Sequence, residues 1–226
     1  MAIRLPPLEA YRLWSQTWEG ERSPVVALES RWVAPWLTGL RGKLVLDLGC
    51  GAGRWLAHAQ SLGARVYGAD PCRQMLLEAA KKPGLPGRLV EGGVPLSPFA
   101  PGCADMVLCA LVLGHVNSLD SAVMELARLV RPGGRLIVTD FHPQAIERGW
   151  RRTFRSGGHL YEVASYPYGK ARLLQGARAA GLTLEEILEP GFDEPERPLF
   201  ESAGKAELFG EVRGLPALLL ARWTRP

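Results

Sequence analysis

Cysteine is scarce in this sequence, and the few cysteines are scattered. There is no CxxC pair and no histidine at metal-ligand spacing from any of Cys50, Cys72, Cys103 and Cys109. We therefore expect free thiols in a reducing compartment, not a disulfide framework or a zinc site.

No apolar run approaches the roughly 20 residues that a membrane helix needs. The first residues also lack the apolar core of a signal peptide, so a cytoplasmic protein without a membrane segment is expected.

A strong charge of either sign is also lacking. Lysine and arginine total 27 against 23 aspartate and glutamate residues, a formal net charge of +4 over 226 residues. This mild balance permits an anionic small molecule or RNA as a partner. It does not demand nucleic acid, whose binding needs positive charge clustered on one face.

Short apolar segments alternate with amphipathic ones through the middle of the chain. Strands are predicted at residues 44–48, 65–69, 88–91, 105–111 and 135–139, and helices at 54–62, 74–82 and 119–130. This alternation is typical of a parallel sheet with helices on both faces. Residues 8–38 predict two helices, the second starting at Ser23, and residues 146–168 predict a hairpin around Gly157-Gly158. A helix at 171–180, a strand at 182–188, an irregular proline-rich link and a strand at 217–223 follow.

A glycine-rich loop joins the first predicted strand of the alternation to its helix. It reads Asp-Leu-Gly-Cys-Gly-Ala-Gly from Asp47 to Gly53. Glycine permits positive φ and close approach of a ligand, and the helix N-terminus adds partial positive charge. The next strand ends at Asp70, whose carboxylate can accept hydrogen bonds from both hydroxyls of a ribose. A nicotinamide or flavin dinucleotide would suit Asp70 equally, but its G-x-G-x-x-G loop needs glycine where Arg54 stands.

Five motifs follow one another in order between about residues 40 and 140. They are D-x-G-x-G-x-G from Asp47, D-x-C-x-x-M-L from Asp70, and the segments 103–107 (CADMV), 113–116 (LGHV) and 129–134 (LVRPGG). Together they resemble the motifs of the class I S-adenosylmethionine-dependent methyltransferases, which have serine in place of Cys72. The resemblance implies S-adenosylmethionine as cofactor and S-adenosylhomocysteine as product. It also implies a Rossmann-like, seven-stranded, mostly parallel sheet with an antiparallel last strand and helices on both faces.

The resemblance further implies which residues contact the cofactor. The methionine moiety would lie against Gly49, Cys50 and Gly51, with Asp47 shaping the loop and Asp70 holding the ribose. Other expected contacts are Pro71, Met75, Gly93, Val94, Cys109, Ala110, Tyr11 and Trp18. The family often carries an acid where Gly93 stands, so the contact to adenine N6 would fall to backbone, water or another group. Core packing alone is the alternative role for Met75 and for the N-terminal aromatic residues.

Several classes of methyl acceptor are excluded, because the motifs of the enzymes that act on them are missing from their expected places in the sequence. The missing motifs are those of enzymes that methylate base amino groups, cytosine C5 or protein arginine, and those of metal-dependent enzymes that methylate catechols. No metal is therefore expected. A small-molecule acceptor remains, and methyl transfer to it is an in-line displacement that depends on alignment and, for a protonated nucleophile, on a base. Candidate bases are His115 and His142. The structural alternatives are that His115 braces a helix and that His142 caps the loop before Pro143.

The predicted hairpin interleaves arginines with aromatic residues, and Arg151, Arg152 and Tyr161 are its candidate acceptor-binding residues. A guanidinium binds carboxylate or phosphate bidentately, which favours a lid with an anion clamp. A solvated charged strand is the alternative.

We expect one domain over residues 1–226. It comprises an N-terminal helical cover (1–40), a cofactor-binding core (41–141), the hairpin lid (146–168) and a C-terminal part (169–226) with a helix and the last two strands. The expected function is methyl transfer to a small molecule, with an anionic acceptor as one option, by a monomer or homodimer. The alternatives are an RNA-modifying methyltransferase and a non-catalytic regulator that binds the cofactor.

Overall fold

The computed structural model describes residues 2–18 and 23–226; Met1 and residues 19–22 of the predicted N-terminal cover lie outside the described residues. The strands are β1 (Ile3–Leu5), β2 (Leu44–Leu48), β3 (Arg65–Asp70), β4 (Leu89–Glu91), β5 (Ala104–Ala110), β6 (Val130–Phe141), β7 (Thr153–Ser156), β8 (His159–Val163), β9 (Thr183–Leu188) and β10 (Leu218–Thr224). The helices are α1 (Pro7–Trp14), α2 (Pro24–Val33), α3 (Arg54–Ser61), α4 (Arg73–Ala79), α5 (Leu119–Leu129), α6 (Pro143–Glu147), α7 (Lys170–Ala179), α8 (Arg197–Ser202) and α9 (Ala206–Val212). Within these residues, no helix combines the length and the apolar character needed to cross a membrane.

Seven strands form the main sheet, in the order β4-β3-β2-β5-β6-β10-β9. Strand β2 pairs in parallel with β3 and β5, whereas β10 runs antiparallel to both β6 and β9. The predicted mostly parallel sheet with an antiparallel last strand is confirmed. Because parallel strands end at one edge, Leu48, Asp70 and Ala110 bring their following loops together there.

Local sequence explains where the helices begin and which face they bury. The Ser23 hydroxyl accepts a hydrogen bond from the Val25 amide (3.2 Å), and Pro24 occupies the first turn, so the predicted start of α2 is confirmed. In α5, Leu119, Ala122, Val123 and Leu126 are buried at the spacing of one helical face. This face packs against the sheet together with Leu173 of α7.

Apolar clusters cover both faces of the sheet. One cluster contains Leu28 of α2, Trp55 of α3 and the aromatic rings of Phe200 and Phe209. The other contains the buried faces of α5 and α7 and closes on Trp223 of β10. Helices therefore flank the sheet on both sides, as predicted.

A hairpin forms around Gly157-Gly158 as predicted, but its strands β7 and β8 span only residues 153–163 of the predicted 146–168, and it does not stand alone. Strand β1 pairs in parallel with β8, so that β1, β8 and β7 form a separate three-stranded sheet. Helix α1 packs on this sheet, with Ala10 buried beside Phe154 and Val163. The N-terminal segment and the hairpin therefore build one structural unit, which the sequence pattern did not reveal because β1 is only three residues long.

The expectation of an irregular proline-rich link before the last strand is wrong in part. Residues 189–217 include the helices α8 and α9. Pro198 lies in the first turn of α8, where a missing N–H costs no helical hydrogen bond. Phe200 and Phe209 are buried and complete the core on this side of the sheet.

Candidate active site

A cavity of about 390 Å³ opens at the carboxyl edge of β2, β3 and β5. Its floor is the loop after β2 and the ends of β3 and β5. Its roof comes from α1, Trp18 and Arg152 at the start of the hairpin. The volume lies in the usual range of small-molecule sites, and such sites sit outside the carboxyl ends of strands in sheets of this kind.

The glycine loop has the backbone shape that its sequence predicts. Gly49, Gly51 and Gly53 have φ values of 78°, 52° and 76°, and the Gly49 amide donates to the Ala69 carbonyl at 2.7 Å. A Cβ on Gly49 would lie 2.3 Å from Cγ2 of Val112. Glycine is therefore required at position 49, both by its positive φ and by the lack of space for a side chain.

Asp70 is tied to the glycine loop by its own carboxylate. One oxygen accepts from the Gly51 amide at 2.8 Å and the other from the Cys72 amide at 2.8 Å. Burial raises the pKa of Asp70 to about 6, although both amide hydrogen bonds lower it. Each oxygen keeps acceptor capacity for a ligand hydroxyl, because a carboxylate oxygen has two lone pairs.

Asp47 presents a buried carboxylate oxygen that has no hydrogen-bond partner within the described part of the chain. The side chain is only 2% exposed, and burial raises its pKa to about 7, with Arg54 lowering it. Arg54 itself pairs with Glu29 of α2, whose other oxygen accepts from the Thr139 hydroxyl. A buried acceptor without a partner at a cavity wall is suited to a ligand that donates hydrogen bonds.

These features fit S-adenosylmethionine. Gly49 and Gly51 line the cavity without side chains, Asp47 offers an unpaired acceptor, and Asp70 offers the acceptors that a ribose needs. Met75, Pro71, Gly93 and Val94 line the same cavity, as do Cys50, Gly51, Ala110, Tyr11 and Trp18. Cys109 does not line it, since its side chain is fully buried within the sheet.

A polar cluster of Tyr11, His115 and Arg152 forms the wall on the side of the hairpin. The Arg152 guanidinium donates to the Tyr11 hydroxyl, to Nε2 of His115 at 3.1 Å and to the Leu111 carbonyl at 3.2 Å. The other imidazole nitrogen, Nδ1, lies 3.2 Å from the Ala164 carbonyl and must donate to it. Burial, and then the charge of Arg152, lowers the pKa of His115 to about 3. His115 is therefore neutral, and its Nε2 is the acceptor for Arg152 and for the Tyr11 hydroxyl, which lies 3.2 Å away.

His142 lies outside the cavity. Its Nδ1 accepts a hydrogen bond from the Gln144 amide at 3.2 Å and so caps α6, and its Nε2 lies 2.6 Å from Glu189. The side chain is only 4% exposed. This geometry supports the capping alternative for His142 and leaves His115 as the histidine at the cavity.

Two of the three hairpin candidates also point away from the cavity. The exposed Arg151 donates to the carbonyls of Ile146 and Trp150, at 2.9 and 2.7 Å. Tyr161 stacks on Phe154 with ring centroids 5.3 Å apart. Successive residues of an extended segment face opposite sides, which separates Arg151 from Arg152.

Several cavity residues were not among the predicted ones. The most prominent are Pro7, Leu8, Val26, Arg54, Trp55, Cys72, Leu111, Val112 and Val116. Leu111 has a φ of 60°, which is rare for a bulky residue other than glycine. Its position directly after β5 was the one available signal for Leu111 and Val112. Nothing in the sequence pattern indicated Val26 or Trp55.

Comparison with known proteins agrees with the site. A family model described as a methyltransferase domain matches residues 46–138. The chain is 31% identical over 193 residues to a ubiquinone biosynthesis O-methyltransferase of Thiobacillus denitrificans, covering 79% of this chain and 81% of that protein. It is 36% identical over 106 residues to a demethylmenaquinone methyltransferase of Thermus thermophilus, covering 45% of this chain and 48% of that protein.

The match to some relatives is partial. A ubiquinone biosynthesis O-methyltransferase of Cupriavidus pinatubonensis is 33% identical over 168 residues, which is 67% of this chain and 64% of that protein. The chain thus spans less than two thirds of the Cupriavidus and Thermus proteins.

A solved structure shares the fold. The S-adenosylmethionine-dependent methyltransferase of Mesorhizobium loti superposes with a TM-score of 0.69 at 18% identity, covering 90% of this chain and all of that one. The shared sequence, the shared fold and the cavity chemistry lead to one assignment. This chain belongs to the class I S-adenosylmethionine-dependent methyltransferases, with S-adenosylmethionine as its cofactor.

Proposed function

We propose that this protein transfers a methyl group from S-adenosylmethionine to a small-molecule acceptor bound in the same cavity. The observation that carries the proposal is the composition of that cavity. One cavity contains the glycine loop and Asp70 on one side and the Tyr11–His115–Arg152 cluster on the other. The names of the relatives, which refer to ubiquinone biosynthesis and demethylmenaquinone, support a small-molecule acceptor.

When bound, the cofactor supplies an electrophilic methyl group, which the acceptor attacks in line. The protein's main contribution is alignment, because holding donor and acceptor in the reactive geometry lowers the entropic cost of reaching the transition state. Leu111, Val112 and Val116 supply apolar wall beside the polar cluster, and Tyr11 closes the cavity from α1. Such a wall holds an apolar acceptor body and excludes water from the reacting atoms.

We propose that His115 positions Arg152 and Tyr11 beside the nucleophile of the acceptor, because its Nε2 accepts from both. The Ala164 carbonyl fixes the proton on Nδ1, so Nε2 is the acceptor atom. Because burial and Arg152 lower its pKa to about 3, His115 is a weak base in the free protein. This arrangement suits a nucleophile that ionises readily and needs orientation more than deprotonation.

The test is methyl transfer from S-adenosylmethionine labelled on the methyl group. The full chain is incubated with the label and, separately, with a cell's small-metabolite fraction, its RNA and its protein. We expect label in the small-metabolite fraction, and clearly less of it with Asp70→Asn at a cofactor concentration that does not saturate the variant. Label in RNA alone would contradict the proposal and favour RNA modification. Binding of S-adenosylhomocysteine without transfer to any fraction would favour a non-catalytic regulator.

The same assay examines the expectation that no metal takes part. In residues 2–18 and 23–226, no group of three or more histidine, cysteine, aspartate and glutamate side chains is placed to hold a metal ion. We therefore expect unchanged transfer in the presence of a chelator. Loss of transfer that added metal restores would contradict this expectation.

A further inference from the structure

The two arginines that line the cavity differ in how their charge is balanced. Arg54 forms an ion pair with Glu29, which is fully buried, and also donates to the Ser30 hydroxyl at 2.9 Å. Arg152 has no carboxylate within 4.0 Å of its guanidinium among the described residues. A cation at a cavity wall without an anionic partner is an incomplete site, since buried charges are ordinarily paired.

All the hydrogen bonds that Arg152 makes to the described residues go to neutral groups and use one nitrogen. Nη1 donates to Tyr11, Leu111 and His115, whereas Nε and Nη2 have no acceptor within the described ranges. The guanidinium also lies over the Phe141 ring, with Cζ 5.1 Å from the ring centroid. One edge of the guanidinium is therefore anchored, and the plane is oriented, while further donors stay free for a ligand.

Asp140 is the carboxylate whose charge acts most strongly on Arg152, and its oxygens are already engaged in other hydrogen bonds. Asp140 accepts hydrogen bonds from the Gly114 amide, the Phe141 amide at 2.8 Å and the Tyr168 hydroxyl at 3.2 Å. It is 5% exposed. Asp140 therefore lies behind the cavity wall as a buried, satisfied group, and does not compete for the free donors of Arg152.

We propose, on the basis of the proposed function, that the methyl acceptor carries an oxyanion, a carboxylate or phosphate group, which Arg152 binds with the Tyr11 hydroxyl beside it. The free guanidinium donors match the paired oxygens of either group. The Tyr11 hydroxyl accepts from Arg152 and lies 3.2 Å from Nε2 of His115, so it fixes the position of the guanidinium beside the anion. Leu8, Leu111 and Val116 line the cavity with apolar surface, so the acceptor combines an anionic group with an apolar body.

The experiment measures binding of three probes to the complex with S-adenosylhomocysteine, by calorimetry. Benzoate and phenyl phosphate carry the two oxyanions on an apolar ring, and benzamide is the neutral counterpart. We expect at least one anionic probe to bind about tenfold or more tightly than benzamide, because a charged hydrogen bond would be absent with the amide. The stronger of the two anionic probes identifies carboxylate or phosphate as the group recognised.

The matched variants are Arg152→Met and Arg155→Met. Arg155 lies in β7, three residues after Arg152, and is exposed, so its loss tests for a general effect of charge. We expect Arg152→Met to weaken the anionic probe about tenfold or more, with Arg155→Met within about twofold of wild type. Arg152→Lys, which keeps the charge but not the fork of donors, should weaken it to an intermediate degree.

Three results would overturn the proposal. The first is equal binding of benzamide and both anionic probes, and the second is an equal loss in Arg155→Met. The third is a loss of S-adenosylhomocysteine affinity of more than about tenfold in both Arg152→Met and Arg152→Lys, which would assign Arg152 to the cofactor's own carboxylate. Failure of the proposed function has a different signature, because then the wild-type protein transfers no methyl group to small molecules whatever the probes do.

Discussion

The indole of Trp14 stacks on the ring of Phe154, with centroids 4.9 Å apart and planes 6° from parallel. This contact joins α1 to β7 across most of the chain length. Tyr11, one turn before Trp14, then reaches Arg152, two residues before Phe154. The stack therefore holds together the two segments that roof the cavity.

Trp14→Ala should loosen the hairpin. An aromatic pair contributes about 0.5–1.5 kcal/mol beyond its buried area, so the open population should rise about threefold to tenfold. Trypsin cleavage after Arg155, beside Gly157-Gly158, reports this population. S-adenosylhomocysteine should slow cleavage of the wild type. Leu77→Ala is the control, since Leu77 is 58% exposed on α4. Equal cleavage rates in the wild type and both variants would show that the stack does not hold the hairpin.

Asp70→Asn should weaken S-adenosylhomocysteine binding by about 1–3 kcal/mol, because a charged hydrogen-bond acceptor is replaced by a neutral amide. Calorimetry measures this directly. The matched control is Asp105→Asn, since Asp105 also accepts a backbone hydrogen bond, from the Leu44 amide at 2.8 Å, but does not line the cavity. A similar loss of affinity in both variants would mean that the effect comes from the fold and not from a contact with the ligand.

Gly49→Ala and Gly157→Ala separate backbone strain from steric clash. Both glycines have positive φ, 78° and 53°, and a left-handed alanine costs about 1–2 kcal/mol. Only Gly49 has a neighbour in the way, Cγ2 of Val112 at 2.3 Å, and overpacking adds about 1–3 kcal/mol. Urea unfolding should therefore show the larger loss for Gly49→Ala, which should also lose S-adenosylhomocysteine binding. Equal losses would remove the argument for a close approach at Gly49.

The pH dependence of stability should reveal the burial of Asp47. Burial raises its pKa to about 7 in the folded protein from 3.8, so the folded state holds a proton that the unfolded state has released. The free energy of unfolding of the cofactor-free protein should then fall as pH rises from about 4 to about 7, by at most about 1.4 kcal/mol per pH unit from this group. Asp47→Asn should remove this contribution. Parallel stability curves for wild type and variant between these pH values would contradict it.

The cofactor side of the cavity was predictable because its signals are local. The sequence from Asp47 to Gly53 and the position of Asp70 each follow from a strand, a turn and a helix that are adjacent in the chain. The roof of the cavity is different. Tyr11 meets His115 across 104 residues, and no pattern in the sequence records that contact. Alternation in the hairpin puts at least one arginine on the face that carries the aromatic residues, but a shift of one residue exchanges the faces, so Arg151 and Arg152 could not be told apart.

His142 shows a second limit of sequence reasoning. Its place after β6, at the carboxyl edge, suggested chemistry. Pro143 directly after it allowed a helix start, and there the side chain of His142 serves as the cap of α6. A polar residue at the end of a strand can cap a helix as readily as it can take part in catalysis, and only its contacts distinguish the two roles.

The most direct test of the account is a crystal structure of the complex with S-adenosylhomocysteine. We expect the ribose hydroxyls to bind the Asp70 carboxylate and the methionine moiety to lie against Gly49 and Gly51. The sulfur should face the space beside Tyr11, His115 and Arg152, with Arg152 free of the cofactor. A cofactor carboxylate bound to Arg152, or a sulfur turned away from this cluster, would contradict the account.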